Sequence, residues 1–349
     1  MRIAQVSSLM EAVPPKLYGG TERIVSFLTE ELVGMGHDVT LFASGDSVTS
    51  AKLEACWPQA MRLDADAKDY LAPHIMMVEK IARRAHEFDV IHLHIDYLSY
   101  PILDRMNTPF VTTLHGRLDL PVLPPLYSMF PHVPVVSISD SQRAPLPEAN
   151  FIGTIYHGLP AKLLDQGPGD KGYLAFIGRI SPEKGPDAAI RIAGEAGWKI
   201  KIAAKIDNAD KAYFEKEIRH LFELPHVEYI GEINDDRKSE FLGNAAGLLF
   251  PIAWCEPFGL AMIEAMACGT PVIAMRNGSV PEVVDEGVTG FIVRSEAEAV
   301  AAVGKLSALD RNRVRRTFET RFSARRMAED YVDIYQELIA DRRPRLIAV

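Results

Sequence analysis

The sequence predicts an α/β protein made of two doubly wound halves. Three observations carry this. Short apolar runs recur along the chain, stretches with helical spacing alternate with them, and a polar segment containing Pro and Gly divides the series in two. A length of 349 residues is a soft prior for about two domains.

In chain order, residues 2–8 form an apolar, β-prone run, and residues 21–33 carry Ile24, Val25, Leu28 and Leu32 at helical spacing until Gly34 and Gly36 stop the helix. Residues 38–43 (DVTLFA) give a second strand, and the buried-strand pattern recurs at 90–94, 110–114 and 133–138, with a helix over 71–85. The stretch 159–172, LPAKLLDQGPGDKG, reads as an interdomain linker. A second series follows, with strands over 173–178, 199–204, 227–230, 247–251 and 271–274 and helices over 186–196, 210–221 and 260–267. Residues 324–339 place Met327, Tyr331, Ile334, Tyr335 and Leu338 on one helical stripe. The pattern fits a helix on its own domain as well as one that returns to the first half. The expected division is 1–165, 166–323 and a closing helix and tail over 324–349.

Composition limits the function classes. With 38 basic against 47 acidic residues the formal net charge is −9, so no overall positive field recruits nucleic acid. Arginines 311, 313, 315, 316, 321, 325 and 326, with 342, 343 and 345 in the tail, fit a solvated helix face or a peripheral contact with an anionic membrane. Cys56, Cys255 and Cys268 lack C-x-x-C spacing and are odd in number, which argues against a disulfide framework and fits a reducing cytoplasm. The opening MRIAQVSSL meets Glu11 and Pro14 before it reaches the length of a signal peptide or membrane span.

The most informative segment is PIAWCEPFGLAMIEAMACGTP, ending at Pro271. Glu256 stands before a helix that the pattern starts near Phe258, and Glu264 lies inside it. Backbone N–H groups of Phe258, Gly259 and Leu260 would open the helix N-terminus, with Gly259 allowing close approach of a ligand. Taken alone, the two acids fit a dipole-facing residue and a solvated helix position better than a ligand site. Upstream, Gly178-Arg179-Ile180-Ser181-Pro182-Glu183-Lys184-Gly185 joins a strand end to a helix start, and Arg179 with Lys184 could clamp one diphosphate. Near the N-terminus, Tyr18-Gly19-Gly20-Thr21-Glu22 makes a turn whose amides could cradle phosphate or an acceptor, or a plain surface turn. It is not G-x-G-x-x-G, which argues against a nicotinamide dehydrogenase. His92 and His94 in V-I-H-L-H, and His115 in T-T-L-H-G, stand at strand ends, where an open α/β sheet lines its ligand crevice. The only short D-x-D, Asp64-Ala65-Asp66, reads as a solvated acidic turn, and no metal is called for.

Glu256, Phe258, Gly259 and Glu264, followed by Ala265, Ala267, Gly269 and Pro271, resemble the signature of the family 4 retaining glycosyltransferases with the GT-B fold, and Gly178 to Gly185 resembles that family's diphosphate-binding element. The resemblance runs over nearly the whole chain. It implies two Rossmann-like domains facing across a cleft, an N-terminal acceptor-binding domain, a C-terminal nucleotide-sugar-binding domain, and a C-terminal helix crossing back to the first. It implies that Glu256 contacts the donor sugar, that the amides of Phe258 to Leu260 hold its hydroxyls, that Glu264 binds the ribose, and that Arg179 and Lys184 bind the diphosphate. By the same resemblance the loop of Tyr18, Gly19 and Gly20 approaches donor phosphate and acceptor, His94 lies near the acceptor and His115 against the donor sugar. Tyr156-His157-Gly158-Leu159-Pro160 and Arg276-Asn277-Gly278-Ser279 depart from the usual pattern.

The expected activity is retaining transfer of a hexosyl group from a nucleoside-diphosphate sugar, UDP-hexose before GDP-mannose, to a hydroxyl of a glycan, lipid or small metabolite. The sugar nucleotide is a co-substrate, and no cofactor is required. The rival readings are a sugar-nucleotide epimerase, a phosphorylase and a non-catalytic sugar-nucleotide binding subunit.

Overall fold

The computed structural model describes residues 1–16 and 19–341. By contacts the chain divides into two compact units, one from Met1–Gly158 with the C-terminal helix Ala324–Ala340, the other Leu159–Ser323. Among the described residues each unit holds one sheet, and every strand pairing in both is parallel.

The first unit has seven strands: β1 (Arg2–Val6), β2 (Asp38–Ser44), β3 (Lys52–Trp57), β4 (Val90–Leu93), β5 (Phe110–Thr113), β6 (Pro134–Ser137) and β7 (Asn150–Thr154), in the order 3-2-1-4-5-6-7. The second has β8 (Tyr173–Arg179), β9 (Lys199–Lys205), β10 (Val227–Gly231), β11 (Gly247–Phe250), β12 (Val272–Met275) and β13 (Gly290–Val293), in the order 10-9-8-11-12-13. Both orders reverse direction beside the first strand of the unit, the point where doubly wound sheets bind ligands outside their strand C-termini. Central strands β4, β5, β6 and β11 are buried along their full length, as their unbroken apolar runs require.

The sequence reading missed β3, β7 and β13. All three are edge strands; β3 (KLEACW) and β7 (NFIGT) mix polar with apolar residues, as one solvated side allows, while β13 (GFIV) is a short apolar run that the reading passed over. The helix expected over 210–221 breaks into Lys211–Tyr213, a wider turn Phe214–Ile218 and a tighter one Arg219–Glu223, with Phe214 and Phe222 5.6 Å apart between ring centroids.

The stretch read as a linker packs into the second unit. Leu159 N–H donates to Phe322 O, and Gly169 N–H to Gly243 O. A Cβ on Gly167 would meet the Gly243 backbone at 2.4 Å, so this glycine serves close packing rather than flexibility. The C-terminal helix buries Met327, Tyr331, Ile334 and Tyr335 in the first unit, where Tyr335 reaches Gln5 on β1 and His92 on β4.

Part of the arginine run departs from the solvated-face reading, while Arg342, Arg343 and Arg345 lie outside the described residues. Arg311 donates to the carbonyls of Gly167, Gly243, Ala245 and Cys268 and to Thr270 Oγ1. Arg315 bonds Leu164 O, Arg321 bonds Asp285 and Glu282 O, and Arg326 bonds Tyr156 O. A guanidinium supplies five donors in a rigid fork, so these side chains add hydrogen bonds to carbonyls at loop and helix ends. Arg313, Arg316 and Arg325 remain exposed. No helix among the described residues is long and apolar enough to cross a membrane.

Candidate functional site

In the second unit the C-terminal ends of β8 and β11 bring the charged residues together. Arg179 is the last residue of β8, and the turn Pro182–Lys184 follows it. Gly185 then starts the helix Pro186–Glu195 at φ 66°, where a Cβ would meet Pro251 O at 2.4 Å; positive φ and close approach both demand glycine. Lys184 Nζ donates to Glu256 Oε2 at 2.5 Å, Trp254 Nε1 donates to the same oxygen at 2.9 Å, and the ammonium lies 5.6 Å from the Trp254 ring centre. Arg179 pairs with Glu183 at 2.9 Å and Asp210 at 3.5 Å. The two cations of the expected clamp thus share one turn, each held by carboxylates.

The helix after Glu256 begins at Leu260, two residues later than the pattern suggested, because Gly259 is left-handed at φ 83° and caps it. Phe258 is buried edge-on to Phe322. Glu264, inside the helix, accepts from Lys238 Nζ at 2.7 Å, and Lys238 also pairs with Asp235 at 3.0 Å.

Residues that the sequence reading named only as a departure from the family pattern set the position of Glu256. A Cβ on Gly278 would meet Glu256 O at 2.3 Å and N at 2.4 Å, and Gly278 has φ 53°. Its neighbours complete the support: Ser279 N–H donates to Glu256 O, Ser279 Oγ to Phe258 O, and Asn277 Nδ2 to Ile252 O. Gly278, the one glycine of that stretch, is therefore required by the turn.

In the first unit, Gly19 precedes the helix Gly20–Gly34. A Cβ on Gly19 would come within 2.8 Å of Pro15 and 3.0 Å of Glu22. Glu22 is buried, and desolvation raises its pKa. Tyr18 lies outside the described residues.

His115 follows β5. Gln142 holds its turn, donating to Leu114 O and Gly116 O while accepting from Ile138 N–H. The β1–β4 register sets Gln5 beside His92. Gln5 Nε2 donates to Tyr335 OH at 3.1 Å, and its Oε1 accepts from His94 Nε2 at 2.9 Å. His94 Nδ1 is then an acceptor for His115 Nε2 at 2.9 Å, which leaves the lone pair of His115 on Nδ1, buried and without a hydrogen-bond partner. His92 joins Tyr335 at 2.6 Å and Thr113 at 2.7 Å, and Thr113 joins Tyr331. His157 stacks on His115 at 5.2 Å. Burial drives all four rings towards the neutral form, with His115 pushed down to about 3.

Residues of the D-x-D turn are held locally: Asp64 accepts from Trp57 Nε1 and from Asp66 N–H.

Comparison with known proteins follows this division. Residues 165–321 match the family model described as glycosyl transferases group 1, and residues 18–139 match that of glycosyltransferase family 4. A D-inositol 3-phosphate glycosyltransferase of Saccharomonospora viridis is 30% identical over 205 residues, 52% of this chain and 46% of that protein, so the chain spans about half the length of that relative. An uncharacterized glycosyltransferase of Methanocaldococcus jannaschii is 24% identical over 273 residues, 72% of this chain and 76% of the other. Among solved structures, sucrose-phosphate synthase from Thermosynechococcus elongatus superposes with a TM-score of 0.78 at 19% identity, covering 97% of this chain and 99% of that one. Anabaena HepE, solved in complex with UDP-glucose, gives 0.73 at 18%, covering 97% and 100%. At these identities the structural likeness bears on the fold, and with two family models matched in sequence the chain belongs to the family 4 glycosyltransferases, its two units being the Rossmann-like halves of the GT-B fold.

Proposed function

We propose that this chain transfers a hexosyl group from a nucleoside-diphosphate sugar to an acceptor hydroxyl with retention of anomeric configuration, UDP-hexose being the first donor to test and GDP-mannose the second. The observation that supports this best is the Lys184–Glu256–Trp254 contact beside Arg179 at the strand ends of the second unit. A phosphate-binding cation and a hydroxyl-binding carboxylate there neutralise each other. If Lys184 exchanges Glu256 for a diphosphate oxygen, Glu256 is released to accept a hydrogen bond from a sugar hydroxyl.

On this reading Arg179 and Lys184 stabilise the charge that grows on the leaving diphosphate as the glycosidic bond breaks, which is where fixed cations lower a barrier most. Glu256 orients the sugar, and the neutral His115, with its Nδ1 lone pair, can accept from a sugar hydroxyl but carries no proton to donate there. The acceptor hydroxyl attacks from the face the diphosphate leaves, through an oxocarbenium-like state. The reading needs no cofactor and no metal, because the cation pair supplies the neutralising charge.

Calorimetric titration with UDP, GDP and ADP and their hexose conjugates tests the donor, comparing the wild type with Arg179→Ala/Lys184→Ala. Preference for one base, lost in the double variant, supports the reading; folded protein that binds none of them refutes it. Conversion of donor without acceptor would indicate an epimerase, dependence on inorganic phosphate a phosphorylase, and binding without turnover a sugar-nucleotide binding subunit.

A further inference from the structure

Gln5 belongs to no motif, yet this buried residue near the end of β1 sits at the centre of the polar network that ends at His115. Tyr331 OH, Thr113, His92, Tyr335 OH, Gln5, His94 and His115 follow one another in a chain of hydrogen bonds between 2.6 and 3.1 Å. Burial keeps the three rings neutral, so each holds one proton on one of its two nitrogens.

Every other member of this chain can reverse its sense. A hydroxyl exchanges donor for acceptor by rotating, and a neutral imidazole by moving its proton to the other nitrogen. A carboxamide has one end that only accepts and one that only donates, so the orientation of Gln5 sets the direction of the bonds on both sides. Its Nε2 carries two N–H groups and meets two acceptors, Tyr335 OH at 3.1 Å and His92 Nδ1 at 3.4 Å. Its Oε1 therefore faces His94 Nε2 at 2.9 Å, which must hold the proton. His94 Nδ1 then accepts from His115 Nε2, and His115 Nδ1 keeps a lone pair without a hydrogen-bond partner. With the amide turned over, His94 Nδ1 would donate to His115 Nε2 and the proton of His115 would sit on Nδ1.

We propose that Gln5 is a positioning residue for transfer: acting through His94, it holds His115 in the tautomer whose Nδ1 accepts, so that the ring takes a sugar hydroxyl as a hydrogen-bond donor. The proposal rests on the transferase reading, in which His115 lies against the donor sugar. It adds the group that decides which face of hydrogen bonding His115 offers.

The test uses the full chain labelled with ¹⁵N-histidine, without nucleotide, and reads the ring ¹H–¹⁵N couplings that distinguish a protonated from an unprotonated nitrogen. His115→Gln assigns the His115 signals. The wild type is expected to carry the His115 proton on Nε2. Gln5→Met fills the same space but leaves His94 Nε2–H without an acceptor; a buried orphan N–H is disfavoured, so the protons shift and His115 Nδ1 becomes protonated. Gln5→Glu keeps an oxygen opposite His94 and is expected to retain the wild-type tautomer. Transfer should follow the tautomer, with kcat/KM about tenfold lower in Gln5→Met, the worth of about one hydrogen bond to the substrate, and largely restored in Gln5→Glu. Tyr335→Phe removes a bond at the opposite end of the amide and should lower stability while leaving the His115 tautomer unchanged, which separates positioning from support of the fold. His115 protonated at Nδ1 in the wild type overturns the proposal even if Gln5→Met impairs folding, and so does equal transfer by wild type and Gln5→Met. The tautomer is read independently of any donor: the expected tautomer in a protein that neither binds nor turns over sugar nucleotides removes the transferase reading, while the hold of Gln5 on His115 stands.

Discussion

Strand ends in the two units carry polar residues of opposite kinds. After β4 and β5, His92, His94 and His115 meet Gln5, Thr113, Tyr331 and Tyr335 as uncharged rings, amides and hydroxyls. After β8 and β11, Arg179, Lys184 and Glu256 meet as ions. Burial follows the difference. His92 and Tyr335 are 0% exposed, whereas the side chains of Arg179, Lys184 and Glu256 keep 31%, 17% and 11% of their surface. A neutral group needs only its hydrogen bonds to enter a core, while an ion removed from water loses solvation that a single partner rarely restores. The ions therefore stay where a charged ligand can exchange for their partners, and most of the histidine nitrogens are already spent.

The largest expected effect breaks the ionic side. Lys184→Ala should lower transfer by about 10²- to 10³-fold, the usual loss when a fixed group that stabilises transition-state charge is removed. Steady-state kinetics with the donor that binds decide it, and an unchanged kcat would show that the pair with Glu256 is only structural.

Acid probes the neutral side. The four buried histidines have folded pKa values below the ordinary histidine value of about 6.5, so unfolding takes up protons once the pH falls beneath that value. Stability is then greatest above about pH 6.5 and declines as the pH drops towards the folded values, by up to about 1.4 kcal/mol per pH unit for each histidine. Urea unfolding between neutral pH and pH 4, followed through tyrosine signals of the first unit, measures this. A flat profile would contradict neutral burial.

Tyr335→Phe is a smaller break, leaving Gln5 Nε2 and His92 Nδ1 without the hydroxyl they share. A cost of about 1–3 kcal/mol is expected in chemical denaturation. Smallest of all, Arg83→Ala removes an exposed pair with Glu79 and should change stability by no more than about 0.5 kcal/mol, a control that separates surface charge from the pairs at the strand ends.

Much of this was legible in the chain itself. Central strands announce themselves as apolar runs because both their faces are covered, and glycine turns at strand ends mark positions where only a residue without Cβ fits. Edge strands β3, β7 and β13 were passed over, whereas β10, also at an edge, was read over 227–230. The roles of Arg311, Arg315, Arg321 and Arg326 were not legible, because a distant carbonyl partner leaves no trace in sequence.

Local sequence, then, determined the two α/β series, the turn of Arg179 and Lys184, and Glu256 ahead of its helix, since periodicity, φ preference and motif spacing act over neighbouring residues. Tertiary structure alone decided that Tyr335 closes on Gln5 and His92, some 240 positions or more from each, and that Gly278 carries the backbone of Glu256. Those contacts join residues distant in the chain, and their hydrogen-bond partners and net charge exist only once the sheets have brought them together.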